Sequence, residues 1–87
     1  MKVVAIQDIK RKEVPLYYRR EFTGTAVLEI FRKNFSSPVD FVIEKSPLGK
    51  SEVKVSMKKD PDYPIIPVMR NLKNYITELD KSGKLPL

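Results

Sequence analysis

Residues 39–58, VDFVIEKSPLGKSEVKVSMK, decide the fold. Val39, Phe41 and Ile43 alternate with Asp40, Val42 and Glu44; Val53, Val55 and Met57 alternate with Glu52, Lys54, Ser56 and Lys58. A period of two belongs to a strand with one face in a core. Between the two runs, Pro47 has its φ preset for the second position of a type I turn, and Gly49 can take the left-handed conformation of the bulge that follows. The stretch predicts a hairpin in which Ser46 faces Lys50. That register sets Glu44 against Glu52, an unfavourable like-charge pair, with Lys54 on the diagonal to soften it.

Upstream, KVVAIQDI (residues 2–9) is short and rich in β-branched residues, which suits a strand. Residues 10–15 form a charged break ending at Pro15, and Leu16–Lys33 is the longest extended candidate. Gly24, between two threonines, marks a bulge or bend in it. Beyond Gly24, Ala26, Leu28 and Ile30 share a face with Phe22; Thr23, Thr25, Val27, Glu29 and Phe31 take the other. Residues 34–38, NFSSP, have the composition of a turn.

Downstream of the linker 60–64 the period changes. Ile65, Val68, Met69, Leu72, Ile76 and Leu79 recur at three and four, the stripe of an amphipathic helix over about residues 66–81. Gly83 suits the residue after its last turn, Lys81 suits its negative end, and Pro86 prevents resumption. The sum is β-β-β-β-α: an α+β domain spanning 1–87, a four-stranded antiparallel meander with one C-terminal helix packed on one face. Its expected core is Phe22, Leu28, Ile30, Val39, Phe41, Ile43, Val53, Val55, Met57, Ile65, Met69, Leu72, Ile76 and Leu79.

Composition bounds the chemistry. The 87 residues include no histidine and no cysteine, which removes imidazole bases, thiolate nucleophiles, thiolate metal sites and disulfides together. No apolar run is long enough for a signal peptide or a membrane span, so a cytoplasmic protein with no membrane association is expected. A chain this short has a modest stability, on the order of 5 kcal/mol. The net charge of +6 is uneven: residues 1–33 hold eight Lys and Arg against four Asp and Glu, whereas residues 60–87 hold four of each. Any electrostatic footprint therefore belongs to the N-terminal two thirds.

Gly49-Lys50-Ser51 imitates the end of a phosphate-binding loop, but Glu44 stands where that motif needs its first glycine, and a strand follows instead of a helix. Asp60 and Asp62 flank a proline in the linker and read as solvated. No cofactor, metal or small-molecule site is expected, and a carboxylate-only enzyme is the weakest alternative.

Two candidates for binding remain. Lys10, Arg11 and Lys12 with Tyr17, Tyr18, Arg19 and Arg20 combine phosphate-seeking cations with rings that can stack on unpaired bases, a nucleic-acid reading set against a merely solvated charged face. The other is the sheet face left without a helix, where alternation is expected to display Val27, Phe31 and Val42 together, with Val4 and Ile6, or Val3 and Ala5, from the first strand. An apolar cluster there suits a protein partner or a homodimer. The leading expectation is a non-catalytic protein-interaction or self-associating module, with nucleic-acid binding as the alternative.

Overall fold

The computed structural model describes residues 1–87, running β1 (Lys2–Lys12), β2 (Arg19–Ile30), β3 (Lys33–Lys45), β4 (Ser51–Met57) and α1 (Ile65–Lys81). The strands lie in the order β1-β2-β3-β4, all neighbours antiparallel, so the α+β meander is the fold. The β3–β4 hairpin has the expected register. Ser46 N–H donates to the Lys50 carbonyl at 2.8 Å, Gly49 N–H to the Ser46 carbonyl at 2.9 Å, and Gly49 has φ 83°. Glu44 faces Glu52, and Lys54 Nζ lies 3.2 Å from Glu44 Oε1.

The preceding turn corrects the reading of residues 34–38, which lie inside β3. The chain reverses at Phe31-Arg32, with Ile30 opposite Lys33 and φ values of 51° and 65°. Such a two-residue turn matches strand twist but needs positive φ twice, which normally selects Asn-Gly. Phe and Arg there cost about 1 kcal/mol each in backbone strain. The turn-forming residues of 34–38 serve another end. Ser37 is fully buried; its Oγ donates to the Pro38 carbonyl and accepts from Lys59 N–H, both at 2.9 Å. Pro38 accepts from Lys58 N–H at 3.0 Å but has no N–H to return, and β4 ends at Met57 beside it.

β1 reaches Lys12, past the expected break at residue 10, and it does not alternate simply. Its register against β2 shifts once between Val3 and Ala5 and again between Gln7 and Lys10. Each shift inserts one unpaired residue, and Asp8 at the second has φ 54°. Val3, Ile6 and Ile9, spaced by three, thereby all contribute to the core. Period two would have sent Ile6 to the face opposite Val3 and Ile9. Gly24 makes the second bulge possible: a Cβ there would lie 3.0 Å from Ile6 Cγ2 and 3.2 Å from the Gln7 carbonyl.

The helix covers the face carrying Phe22 and Phe41, whose rings stack at 5.0 Å. Val68, Leu72 and Ile76 are its fully buried row, flanked by Tyr75 and Leu79. Ile65 and Met69 do not join the core as expected. They belong to the adjacent row that continues to Lys73, on the flank of the helix, and Ile65 is 47% exposed. Ile6, Ala26, Val68 and Leu85 complete the buried cluster. Past the helix, Gly83 has φ 67°, Gly83 N–H donates to the Asp80 carbonyl at 3.1 Å, and Lys84 N–H to that of Leu79 at 2.9 Å. This cap turns Leu85 back into the core. α1 comes closest to the edge strands β1 and β4, so the sheet curls around it.

Candidate functional site

A meander returns every second connection to the same end, so the β1–β2 loop meets the β3–β4 turn. Lys45 N–H donates to the Tyr18 carbonyl at 2.8 Å and joins them. Arg19 N–H donates to the Leu16 carbonyl at 3.3 Å, closing a turn with Tyr17 at its tip. Tyr17 is 99% exposed, and its ring meets Tyr18 edge-on at 5.5 Å. With Lys45, Ser46 and Pro47 the two tyrosines line an open hollow of about 560 Å³. Leu48, next in the turn, is 87% exposed.

The basic candidates do not form one surface. Arg19 Nε donates to Glu21 Oε2 at 2.8 Å and its Nη1 to Glu44 Oε1 at 3.2 Å. Arg20 points to the helix side, where Nη1 and Nη2 donate to Asp80 Oδ1 and Oδ2 at 2.9 and 3.0 Å. Both arginines tie the fold together. Lys10 faces Thr23 and Lys12 faces Glu21, whereas Arg11 faces Phe22 and so points the other way. Arg11 and Lys12 border a second open hollow, with Glu13, Val14, Pro15 and Leu87. Of the seven candidates, Tyr17 and Tyr18 alone share a hollow with an unpaired cation, Lys45.

The uncovered sheet face is polar across its middle. Val27 and Val42 both lie on it, but Val42 faces Glu21, six residues along β2 from Val27. They are about 20 Å apart at the rise of a strand. Phe31 is off the face altogether, at the hairpin tip with positive φ, 82% exposed and edge-on to Tyr63 at 5.8 Å. The alternation expected to bring these three together stops one residue too early, because the strand ends at Ile30. Between the valines stand Thr23, Thr25 and ion pairs. Lys58 Nζ lies 2.9 Å from Asp40 Oδ2, and Glu44 takes both Arg19 and Lys54. The hydrogen bond from Lys58, aided by the charges of Lys58 and Lys12, holds the Asp40 carboxyl below its usual range against some desolvation. The hydrogen bond to Glu21, with the charges of Glu21 and Glu44, raises Arg19 further.

Sequence reasoning passed over Lys45, Pro47 and Leu48 as parts of this end. The signal was the topology itself: in a meander, the 13–18 loop and the 46–50 turn must be neighbours. Elsewhere, Asp60 Oδ1 accepts from Asp62 N–H at 2.9 Å within the linker. No three metal-ligating side chains gather, and no helix is long and apolar enough to cross a membrane.

One protein-family model, for a family of unknown function designated by a locus number alone, matches residues 1–81. The match takes in all four strands and the helix, and the chain belongs to that family. No curated protein and no solved structure matches it.

Proposed function

We propose that this family member is a non-catalytic binding module that docks a protein partner through the end formed by Leu16–Tyr18 and Pro47–Leu48. The observation that carries this reading is Tyr17, an aromatic side chain held almost wholly in water by a hydrogen-bonded turn. Tyrosines presented on a firm backbone, with aliphatic neighbours and a polar rim, have the make-up of interface anchors. Lys45 and Lys50 supply such a rim. The absence of catalysis is supported by the two displaced titrations. Asp40 and Arg19 are both pushed deeper into their charged forms, whereas proton transfer near neutral pH needs groups displaced toward 7.

The test is a photo-reactive phenylalanine analogue placed at Tyr17 and, as control, at Lys73 on the exposed helix face. A discrete adduct from position 17 that Leu48→Asp abolishes supports the reading; equal adducts from both positions, or none, refute it. A second reading, binding of single-stranded nucleic acid, is favoured by Lys45 sharing a hollow with two tyrosines. It requires affinity that falls with salt and that Tyr17→Ala weakens across all sequences alike. An oligonucleotide titration at low salt separates the two readings.

A further inference from the structure

A different feature, the outer edge of β4, carries an inference about self-association. In an antiparallel pair, residues alternate between those that bond the neighbouring strand and those whose N–H and C=O point away. Two bonds fix the phase of β4: Ser46 N–H to the Lys50 carbonyl, and Lys58 N–H to the Pro38 carbonyl. The even-numbered residues from 50 to 58 therefore bond β3. Ser51, Val53, Val55 and Met57 turn their N–H and C=O groups outward, and no loop or side chain reaches them. On the helix side of the same edge, Val53, Val55 and Met57 are only half-buried.

Edges of this kind are commonly guarded by lysines. Here the lysines are drawn inward, Lys54 to Glu44 and Lys58 to Asp40. Glu52 has no counter-ion and faces Glu44 across the pair. A cation arriving from outside the sheet would relieve that repulsion.

We propose that β4 pairs with β4 of a second copy, antiparallel about a two-fold axis through Val53, to give a continuous eight-stranded sheet. The charge pattern selects the register. An axis through Lys54 would oppose two lysines in a close, non-hydrogen-bonded pair. An axis through Val53 places Glu52 opposite Lys54 of the other copy, twice, while Val53 meets Val53 and Ser51 meets Val55. The two-fold lets one strand serve both chains and closes the assembly at two. This surface is separate from the Tyr17 end, so either reading can fail without the other.

The experiment is sedimentation velocity on the full chain from low to high micromolar concentration, with Glu52→Lys and with Glu52→Lys/Lys54→Glu. Glu52 is exposed, and in the double variant the introduced lysine faces Glu44, so the hairpin keeps a favourable pair. The wild type is expected to dimerise. Glu52→Lys should weaken association on the order of tenfold or more by turning two attractive cross-pairs repulsive, and the double exchange should restore it. A wild type that stays monomeric at high micromolar concentration overturns the proposal, as does a dimer indifferent to Glu52→Lys. A dimer that the single change breaks and the double exchange fails to rebuild refutes the axis through Val53. Such a result fits an axis through Val55, where Glu52 meets Lys58.

Discussion

The two edges of the sheet are built differently. β1 carries two bulges, a residue with positive φ at Asp8, and the run Lys10-Arg11-Lys12. β4 is a short unbroken strand whose lysines lean toward β3. The bulges in β1 have two consequences. They bring Val3, Ile6 and Ile9 into the core, and they break the even row of outward N–H and C=O groups that another strand would need. At β4 the core requires no such correction, since Val53, Val55 and Met57 already alternate inward. An edge that alternates without fault is also an edge that can be extended. The same regularity that makes β4 easy to read leaves it open.

The strongest way to break this comparison is to remove a bulge. Deleting Asp8 restores simple alternation in β1 but moves everything before it by one residue, turning Ile6 out of the core. The expected loss is about 2–4 kcal/mol, read as a lower denaturant midpoint at similar m-value. Asp8→Gly keeps the bulge, removes the strain of positive φ, and should be neutral or stabilising. Equal losses from the two variants would show that the side chain of Asp8, and not the extra residue, is what matters.

Gly24→Ala comes next. Its methyl group meets Ile6 Cγ2 and the Gln7 carbonyl at 3.0 and 3.2 Å, and the second of these is backbone that must shift. About 1–3 kcal/mol of destabilisation is expected from such overpacking. An unchanged melting temperature would mean that β1 is seated less closely on β2 than described.

The smallest effects belong to β4. With association suppressed by dilution, Glu52→Lys should raise the stability of the monomer by a few tenths of a kcal/mol, because the introduced lysine faces Glu44. One substitution would thus help the fold and hinder the dimer. At the other end of β4, the lowered pKa of Asp40 marks a contribution present above the unfolded-state pKa and lost as pH falls through the folded one. Lys58 and Asp40 are both substantially exposed, so Asp40→Asn should cost only a few tenths of a kcal/mol near neutral pH. That difference from the wild type should disappear in acid titrations below the usual aspartate range. A difference that persists there would assign the effect to packing instead of charge.

How far the chain could be read follows the same division. Residues 39–58 and the helix were legible because side-chain period, turn chemistry and tertiary burial agree there; even the Glu44–Glu52 clash and its relief by Lys54 followed from the register. The β2–β3 turn was not legible. Phe31 and Arg32 carry none of the chemistry that positive φ usually demands, while Ser37 and Pro38, which do suggest a turn, are used to tie Lys59 down and to end β4. The faces of β1 were hidden because period two fails at a bulge, and a bulge is visible only from its partner, Gly24. Among the binding candidates, Tyr17 and Tyr18 stayed together at an exposed end. Arg19 and Arg20 could not be placed without knowing that Glu21, Glu44 and Asp80 would reach them, two of these across the sheet and from the helix.

The central claim, a closed edge at β1 and an open, self-complementary edge at β4, is tested most directly by amide hydrogen exchange along β4 as a function of protein concentration. In dilute protein, the amides of Val53 and Val55 should exchange far faster than those of Glu52, Lys54 and Ser56, which bond β3. As concentration rises into the high micromolar range, Val53 and Val55 should gain protection while the amides of β1 stay unchanged. Slow exchange of Val53 and Val55 at every dilution, or protection that grows along β1 instead, would contradict the account.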